Sequence, residues 1–308
     1  MTKAIAFHEY GGADVLRPVD IEVPAPGAGQ VRVAVRTVGV NPLDHKVRSG
    51  AMAEVFPVEL PAVSGYELAG VVESVGEGVS GFAPGDEVFG AVMGGGYAEH
   101  ALVPAAMLTR KPASLGWEEA AAVPVAAETS ERALNVLGVR PGETLLVHGA
   151  AGGVGTVLLQ FARARGITVV GTASEANHDH LRELGAIPVT YGEGLAERVR
   201  AVAPGGVDRV LDVAGLGGVL PLSIELTGRA DRVLTIADFE GAEKYGVLAT
   251  GGADAEFHHQ AAYAAALALH EAGTLRLPVH QVFPLAEAAE AQRVSEVGHL
   301  RGKIVLTV

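Results

Sequence analysis

The stretch Thr144-Leu-Leu-Val-His148-Gly149-Ala-Ala-Gly152-Gly153-Val-Gly155-Thr-Val-Leu-Leu-Gln-Phe-Ala162 decides the fold. An apolar strand runs directly into a glycine-rich turn, and an apolar-periodic helix begins there. Glycine permits the tight turn and lets backbone N–H groups approach a pyrophosphate at the positive end of the helix. A purely structural turn is the alternative, but strand, turn and helix together predict a dinucleotide site. The residues expected to contact the phosphates are Ala150, Gly152, Gly153, Val154 and Gly155.

Downstream of this turn, short apolar segments alternate with helix-prone segments. Strands are predicted over 167–171, 187–190, 207–212 and 232–237, and helices over 176–184 and 194–203. Buried strands separated by helices are typical of a parallel sheet that is covered on both faces. The sequence therefore predicts an α/β fold with a Rossmann doubly wound parallel sheet.

The first third of the chain instead consists of short strands separated by glycine and proline. Period-two alternation over 31–38 and an apolar run over 70–76 predict strands of a barrel-like, mostly antiparallel β domain. After a long helix predicted over 255–272, the segments 281–283, 285–297 and 303–308 have the pattern to rejoin that domain. We therefore expect one domain from 1–122 plus 274–308 and a second from 123–273.

Composition excludes several classes of function. Lys plus Arg number 23 against 36 Asp plus Glu, a net charge of −13, which disfavours nucleic acid and anionic membranes as partners. The chain has no cysteine, which excludes disulfides, thiol catalysis and thiolate metal sites. No apolar run has the length of a signal peptide or membrane helix, so we expect a cytoplasmic protein.

The second strand of the parallel sheet bears on which dinucleotide binds. NAD enzymes usually carry an acid about 20 residues beyond the glycines, but Ser174 resembles a helix N-cap that would place Glu175 in the first helical turn. A polar cup for a 2′-phosphate is the competing interpretation, although no basic residue precedes Arg182 in this segment. This favours NADPH and leaves NADH as the alternative. The residues of the predicted cup are Thr172, Ser174, Asn177, His178 and Tyr191.

Four motifs together resemble a known family. Val40-Asn41-Pro42-Leu43-Asp44-His45-Lys46-Val47-Arg48-Ser49-Gly50 is similar to a signature of the zinc-free quinone oxidoreductases in the medium-chain dehydrogenase/reductase superfamily. Segments beginning at Gly65-Tyr66-Glu67, Gly85-Asp86 and Gly302-Lys303 match as well, in order along the whole chain. The resemblance implies a GroES-like β domain, a Rossmann domain and a homodimer. An edge strand within 241–250 is where such a dimer would pair.

The sequence departs from the zinc-dependent members of this superfamily. Tyr66 stands where those enzymes have a zinc-binding histidine, and the cysteine ligands are missing. We therefore expect neither zinc nor flavin, and a reaction that proceeds without a Lewis acid.

The resemblance also implies candidate roles in the site. Asn41 would fix the nicotinamide or the backbone beside it, and Lys303 would contact the cofactor. Lys46 or Tyr66 would supply a proton or positive charge. Asp44 would be catalytic or would pair with Arg48 to hold the segment.

The function implied is NADPH-dependent reduction of quinones, with one or two electrons transferred. Reduction of activated C=C bonds in enones or enoyl thioesters is an alternative with the same cofactor geometry. A non-enzymatic NADPH-binding redox sensor or crystallin-like protein is the third interpretation.

Overall fold

The computed structural model describes residues 1–215, 217–252 and 255–308 of the 308-residue chain. Its strands are β1 (Thr2–Phe7), β2 (Arg17–Ile21), β3 (Gln30–Val40), β4 (Ala62–Val63), β5 (Glu67–Val75), β6 (Glu87–Ala91), β7 (His100–Pro104), β8 (Leu108–Arg110), β9 (Thr144–His148), β10 (Thr168–Ala173), β11 (Ile187–Thr190), β12 (Arg209–Asp212), β13 (Val233–Thr235), β14 (Leu248–Ala249), β15 (Val279–Pro284) and β16 (Lys303–Thr307).

The α-helices are α1 (Pro42–Arg48), α2 (Trp117–Leu137), α3 (Gly153–Ala164), α4 (His178–Glu183), α5 (Leu195–Val202), α6 (Val219–Thr227), α7 (Phe239–Tyr245), α8 (His259–Glu271) and α9 (Ala288–Val297). Short 3-10 helices lie at Ala13–Val15, Ala105–Met107, Glu175–Asn177, Ala230–Arg232 and Leu285–Glu287.

The chain divides into two compact units. The first unit comprises Met1–Val125, His259–His270 and Leu277–Val308, and the second comprises Ala126–His258 and Glu271–Arg276. The predicted boundaries at 122/123 and 273/274 differ from this division mainly in α8, most of which belongs to the first unit. Which segments fold together as domains stays a prediction.

The first unit is built around the long strand β3. It pairs antiparallel with β5, β7 and β16 in a mixed sheet, while a smaller sheet has the order β2-β1-β4. Its core is formed by buried side chains that alternate along the strands, including Val31, Val33, Leu68 and Val88. The last strand of the chain, β16, pairs antiparallel with β3 of this unit.

The second unit contains a parallel sheet whose order, among the described residues, is β11-β10-β9-β12-β13-β14. The strand β9, which enters the glycine-rich turn, has β10 and β11 on one side and β12, β13 and β14 on the other. A doubly wound fold has this arrangement. Leu146, Val170, Val210 and Val233 are almost completely buried at its centre. The predicted fold class is thus confirmed, with a parallel Rossmann-like sheet and a mixed, mainly antiparallel β unit.

Two predictions of local structure were wrong in detail, and one helix was not predicted. Residues 255–258 are not helical, and α8 begins at His259. Within 241–250 only β14 is a strand, because residues 241–245 continue α7. Helix α6 was not predicted. Its sequence, VLPLSIELT, carries a proline, and its buried positions include Ser223 and Thr227, so no amphipathic period marks it.

Within the described part of the chain, no helix combines the length and the apolar character needed to cross a bilayer.

Candidate active site

The glycine-rich turn of the second unit leaves the start of α3 open. Gly149 has a φ of +81°, which glycine adopts without strain, and its carbonyl accepts a hydrogen bond from the N–H of Gly152. Gly152 is the N-cap of α3, and no side chain caps the helix there. The first backbone N–H groups of an α-helix have no partner within the helix. Those of Gly153, Val154 and Gly155 are therefore available to an anion.

The glycines of this turn have different steric roles. A Cβ on Gly155 would lie 2.5 Å from the carbonyl oxygen of Gly149, so this glycine allows the helix to pack against the turn. A Cβ on Gly152 would meet only the Gly149 oxygen, at 3.6 Å, and would otherwise point into open space. A pyrophosphate fits this arrangement, because uncapped amides and free space coincide at a helix N-terminus.

Two other predicted residues of this site support the turn through hydrogen bonds. The N–H of Ala150 donates to the carbonyl oxygen of Thr172 at 3.1 Å, and the N–H of Gly149 donates to the Thr172 hydroxyl at 3.3 Å. Ala150 and Thr172 are both buried. The structure therefore joins the ends of β9 and β10 through them.

The remaining members of the predicted polar cup follow β10 and β11, which are neighbouring parallel strands. Ala173 is paired with Thr190, so the carboxyl ends of the two strands lie side by side. Ser174 precedes the 3-10 helix that contains Glu175, as predicted, and its hydroxyl accepts from the Asn177 amide at 3.2 Å. Tyr191 is 39% exposed beyond the end of β11.

Arg198 is a cation at this edge that the sequence analysis missed. Its Nε donates to the carbonyl oxygen of Thr190 at 2.9 Å, and a terminal nitrogen donates to the carbonyls of Tyr191 and Gly192 at 3.3 Å. The guanidinium is thereby held at the carboxyl end of β11. Arg198 lies on α5, seven residues after Tyr191 in sequence. The turn between β11 and α5 brings its side chain back to the end of the strand.

The first unit contains a buried polar cluster, the Glu67 cluster, formed by Asn41, Glu67 and Lys303. The Lys303 ammonium donates to Glu67 Oε1 at 2.6 Å and to the side-chain oxygen of Asn41, and the Asn41 amide donates to Glu67 Oε1 at 2.8 Å. The second Glu67 oxygen accepts from the backbone N–H of Val125 at 2.7 Å. Asn41 and Lys303, both predicted to contact the cofactor, thus share one buried carboxylate.

Glu67 was not among the residues predicted for the site. A signal was present, because Glu67 opens a strand whose next five residues are apolar, and Lys303 opens the largely apolar last strand. The two strands flank β3 in the sheet, and buried opposite charges are expected to pair.

A cavity of about 380 Å³ lies in the first unit and brings two of the predicted catalytic residues together. Asp44 and Tyr66 both line it, with the hydroxyl-bearing Ser64 and with Glu59. Most of its other lining is apolar, from Phe7, Val47, Pro57, Val58, Ala62, Val63 and Met93. The volume and the mixture of apolar side chains with a few polar groups are compatible with a small-molecule site.

The two predicted catalytic residues in this cavity have perturbed acidities. Burial raises the pKa of Asp44 to about 7, although the Asn41 N–H and the Lys303 charge act in the opposite direction. Burial and the negative charge of Asp44 raise the pKa of Tyr66 above its ordinary value. Strongly shifted groups in a concave pocket are typical of functional sites.

Lys46 and Arg48 lie elsewhere on α1. Lys46 is half-buried and, within the described ranges, forms no ion pair. The expected pairing of Arg48 with Asp44 is wrong. Arg48 instead donates to the carbonyl of Gly11 and to the side chains of Gln292 and Glu296, because α1 packs against α9.

These residues do not fit a zinc ion. The Glu67 carboxylate is already bonded to an ammonium, and the raised pKa of Tyr66 keeps its phenol protonated and therefore a poor ligand. Among the described residues, no group of three or more His, Cys, Asp or Glu side chains is arranged to hold a metal.

Comparisons with known proteins agree with this architecture. Residues 27–113 match the family model described as the alcohol dehydrogenase GroES-like domain, and residues 184–306 match the one described as zinc-binding dehydrogenase. A quinone oxidoreductase from Sus scrofa is 33% identical over 321 aligned residues, covering 98% of this chain and 95% of that protein. The rat quinone oxidoreductase is 39% identical, but there the match covers 69% of this chain and 65% of the relative's length.

Solved structures give the same result over whole chains. A quinone oxidoreductase from Pseudomonas syringae is 32% identical, with a TM-score of 0.86 and full coverage of both chains. A mycobacterial protein solved in complex with NADPH is 29% identical, with a TM-score of 0.84 and full coverage of both. The chain therefore belongs to the quinone oxidoreductase branch of the medium-chain dehydrogenase/reductase superfamily, a family of oxidoreductases.

Proposed function

We propose that this protein is an NADPH-dependent reductase of quinones that works without a metal. The observation that carries the proposal is the uncapped start of α3 beyond Gly152, in a chain of this family. Backbone amides there bind the pyrophosphate, and the bound nicotinamide supplies a hydride. The protein's own contribution is positioning and stabilisation of the negative charge that develops on the acceptor.

The preference for NADPH rests on the edge formed by the ends of β10 and β11. The strand β10 ends in Ala173, which has no carboxylate to hold ribose hydroxyls, and Arg198 supplies a positive charge beside Tyr191. A 2′-phosphate benefits from a nearby guanidinium, whereas a plain ribose does not. The NADPH complex of the mycobacterial neighbour supports the same assignment.

The acceptor is uncharged or cationic and largely apolar. The cavity of the first unit is lined mainly by apolar residues, and its ionisable carboxyl groups are those of Glu59 and of Asp44, which burial keeps largely protonated. An anionic acceptor would be repelled, whereas a planar quinone would lose little on leaving water. Enones satisfy the same conditions, so reduction of activated C=C bonds is retained as the second candidate.

The Glu67 cluster has a positioning role in this proposal. It fixes the end of β3, where Asn41 begins α1, and so fixes the helix that carries Asp44 to the cavity wall. The catalytic side chains then keep one geometry without a metal to organise them.

Calorimetry and steady-state kinetics test the proposal. We expect NADPH to bind at least tenfold more tightly than NADH, and turnover with a panel of uncharged quinones to exceed that with matched enones. Clear preference for enones would establish the second candidate instead. Absence of binding by both nucleotides at millimolar concentration contradicts the proposal altogether.

We further propose a homodimer that pairs through β14. Within the part of the chain that the structure describes, this strand bonds to β13 alone and ends the parallel sheet. Such an edge is a template for pairing with a second copy. Light scattering after size-exclusion chromatography should give twice the chain mass, and Leu248→Pro should shift it toward the monomer.

A further inference from the structure

Among the described residues, one oxygen of the Asp44 carboxyl group has no hydrogen-bond partner of normal geometry. Oδ2 accepts from the backbone N–H of Asn41 at 2.6 Å, which caps α1. Oδ1 is buried and, among the described residues, makes no hydrogen bond of normal geometry. The side chain is only 1% exposed, although the residue lines the 380 Å³ cavity. A buried acceptor of this kind is costly unless a ligand, a water or a proton satisfies it.

The groups that face Asp44 come from four elements. On its own helix the Asn41 N–H favours the carboxylate, and from β16 the Lys303 ammonium does the same. Glu67 on β5 opposes it, and the buried phenol of Tyr97, which precedes β7, favours the carboxylate, although within the described residues its hydroxyl makes no hydrogen bond of normal geometry. Because burial outweighs the favourable partners, the pKa of Asp44 is raised to about 7, and a large fraction of the molecules carry a proton there at neutral pH.

We propose that Asp44 is the proton donor to the acceptor bound in this cavity. The inference rests on the proposed reductase function and extends it. In a two-electron reduction, the hydride adds to the acceptor as an electron pair with one hydrogen. The O–H bond of Asp44 breaks, its proton bonds to the oxygen or carbon that gains negative charge, and the Asp44 carboxylate remains. Water returns a proton to it after the product leaves.

The geometry favours Asp44 over the neighbouring candidates. Tyr66 shares the cavity, but its raised pKa makes it a weaker acid than Asp44 by several orders of magnitude. Lys303 and Asn41 are committed to Glu67. Lys46 is absent from the cavity lining. A neutral carboxylic acid in an apolar wall combines a free donor with an acidity suited to physiological pH.

The central test is the pH profile of kcat with a quinone that binds well. Because the acid must be protonated, the wild-type rate should be constant at low pH and fall as the pH rises through about 7. We call this fall the pH limb. The Asp44→Asn variant keeps an oxygen to accept from Asn41, so α1 stays capped. We expect its kcat at pH 6 to be lower by about 100-fold or more, with no fall at higher pH. Its KM and its affinity for NADPH should change less than threefold.

A second variant should shift the pH at which the rate falls, but it should not abolish the fall. Tyr97→Phe removes a buried hydroxyl that favours the Asp44 carboxylate, and it conserves the ring that packs in the core. The limb should then move to higher pH. A side chain with a merely structural role would not produce a shift with this sign.

His45 provides the matched control on the same helix. Its imidazole is half-buried, and burial lowers its pKa. His45→Asn should retain both the wild-type rate and the limb. Infrared difference spectra add a readout that is independent of turnover. The carbonyl band of a protonated acid, present in the wild type at pH 6, should be missing in Asp44→Asn.

The possible outcomes separate the two proposals. If the wild type neither binds NADPH nor turns over, the proposed function fails. If the wild type is active and Asp44→Asn retains its rate and its limb, the assignment of Asp44 is overturned. Loss of the limb in Tyr66→Phe or His45→Asn, with the limb intact in Asp44→Asn, overturns it equally.

Discussion

The ammonium of Lys303 lies 2.6 Å from the carboxylate of Glu67, and both side chains are almost completely buried. Lys303 opens the last strand of the chain and Glu67 opens β5, so the pair connects two strands that flank β3 and lie far apart in sequence. Desolvation makes a buried ion pair costly to form, and removal of one partner leaves an isolated buried charge.

Lys303→Met should therefore destabilise the protein by about 3–5 kcal/mol, measured by urea unfolding. The double variant Lys303→Met/Glu67→Gln should recover part of that loss, because it removes both charges. Arg293→Ala, which breaks an exposed pair with Glu290, is the control and should have little effect. Equal stability of Lys303→Met and wild type would contradict the buried-charge argument.

Two glycine substitutions in the same turn should have different effects. Gly155→Ala forces a Cβ to within 2.5 Å of a backbone oxygen, so it should lower the unfolding free energy. Gly152→Ala meets no close atom and should fold normally, but its methyl group occupies the space assigned to the pyrophosphate. We expect a tenfold or larger loss of NADPH affinity by calorimetry for Gly152→Ala.

Gly205→Ala is the matched control for both, because a Cβ there meets nothing within 4 Å. It should change neither stability nor NADPH binding. If Gly152→Ala binds NADPH as tightly as the wild type does, the pyrophosphate does not bind at this turn.

Arg198→Gln tests the choice between the two dinucleotides. A charge-assisted contact contributes about 1.5–3 kcal/mol, so NADPH affinity should fall at least tenfold. NADH has no 2′-phosphate, and its affinity should change less than twofold. Arg293→Gln, an exposed arginine of the first unit, serves as a charge-matched control. Parallel losses for NADPH and NADH would show that Arg198 only holds the end of β11.

His148 should lower the unfolding free energy of the protein in acid. Burial lowers its pKa to about 4, and its Nε2 lies 3.1 Å from the hydroxyl of Ser223, which itself donates to the carbonyl of Val219. A lowered folded-state pKa means that its contribution to stability is complete above pH 6.5 and is lost as the pH falls through 6.5 to 4. The loss is on the order of 3 kcal/mol. In His148→Gln the unfolding free energy should vary less over this window, whereas the exposed His8→Gln should follow the wild type.

Asp44 should have the opposite pH dependence. Its folded-state pKa is raised, so its contribution to stability is complete below pH 3.8 and is lost as the pH rises toward 7. Asp44→Asn should therefore gain stability relative to the wild type between pH 5 and pH 8, measured by urea unfolding. A difference that does not change with pH would show that the wild-type carboxyl is ionised throughout.

Local patterns determined much of this protein. The apolar strand, the three glycines and the amphipathic helix around Gly149 predicted the turn, because steric freedom at glycine and helix polarity act over a few residues. Period-two alternation predicted β3. Short apolar segments that alternate with helix-prone segments predicted the doubly wound sheet.

Only the tertiary structure decided the partners of the charged side chains. Arg48 was expected to pair with Asp44 one helical turn away, yet it binds Gln292 and Glu296, more than 200 residues along the chain. Glu67 meets Lys303, and Arg198 reaches Tyr191 from a following helix. Periodicity encodes which face of an element is buried, but the partner across that face is set by packing between distant segments, and the acidity of Asp44 depends on that packing.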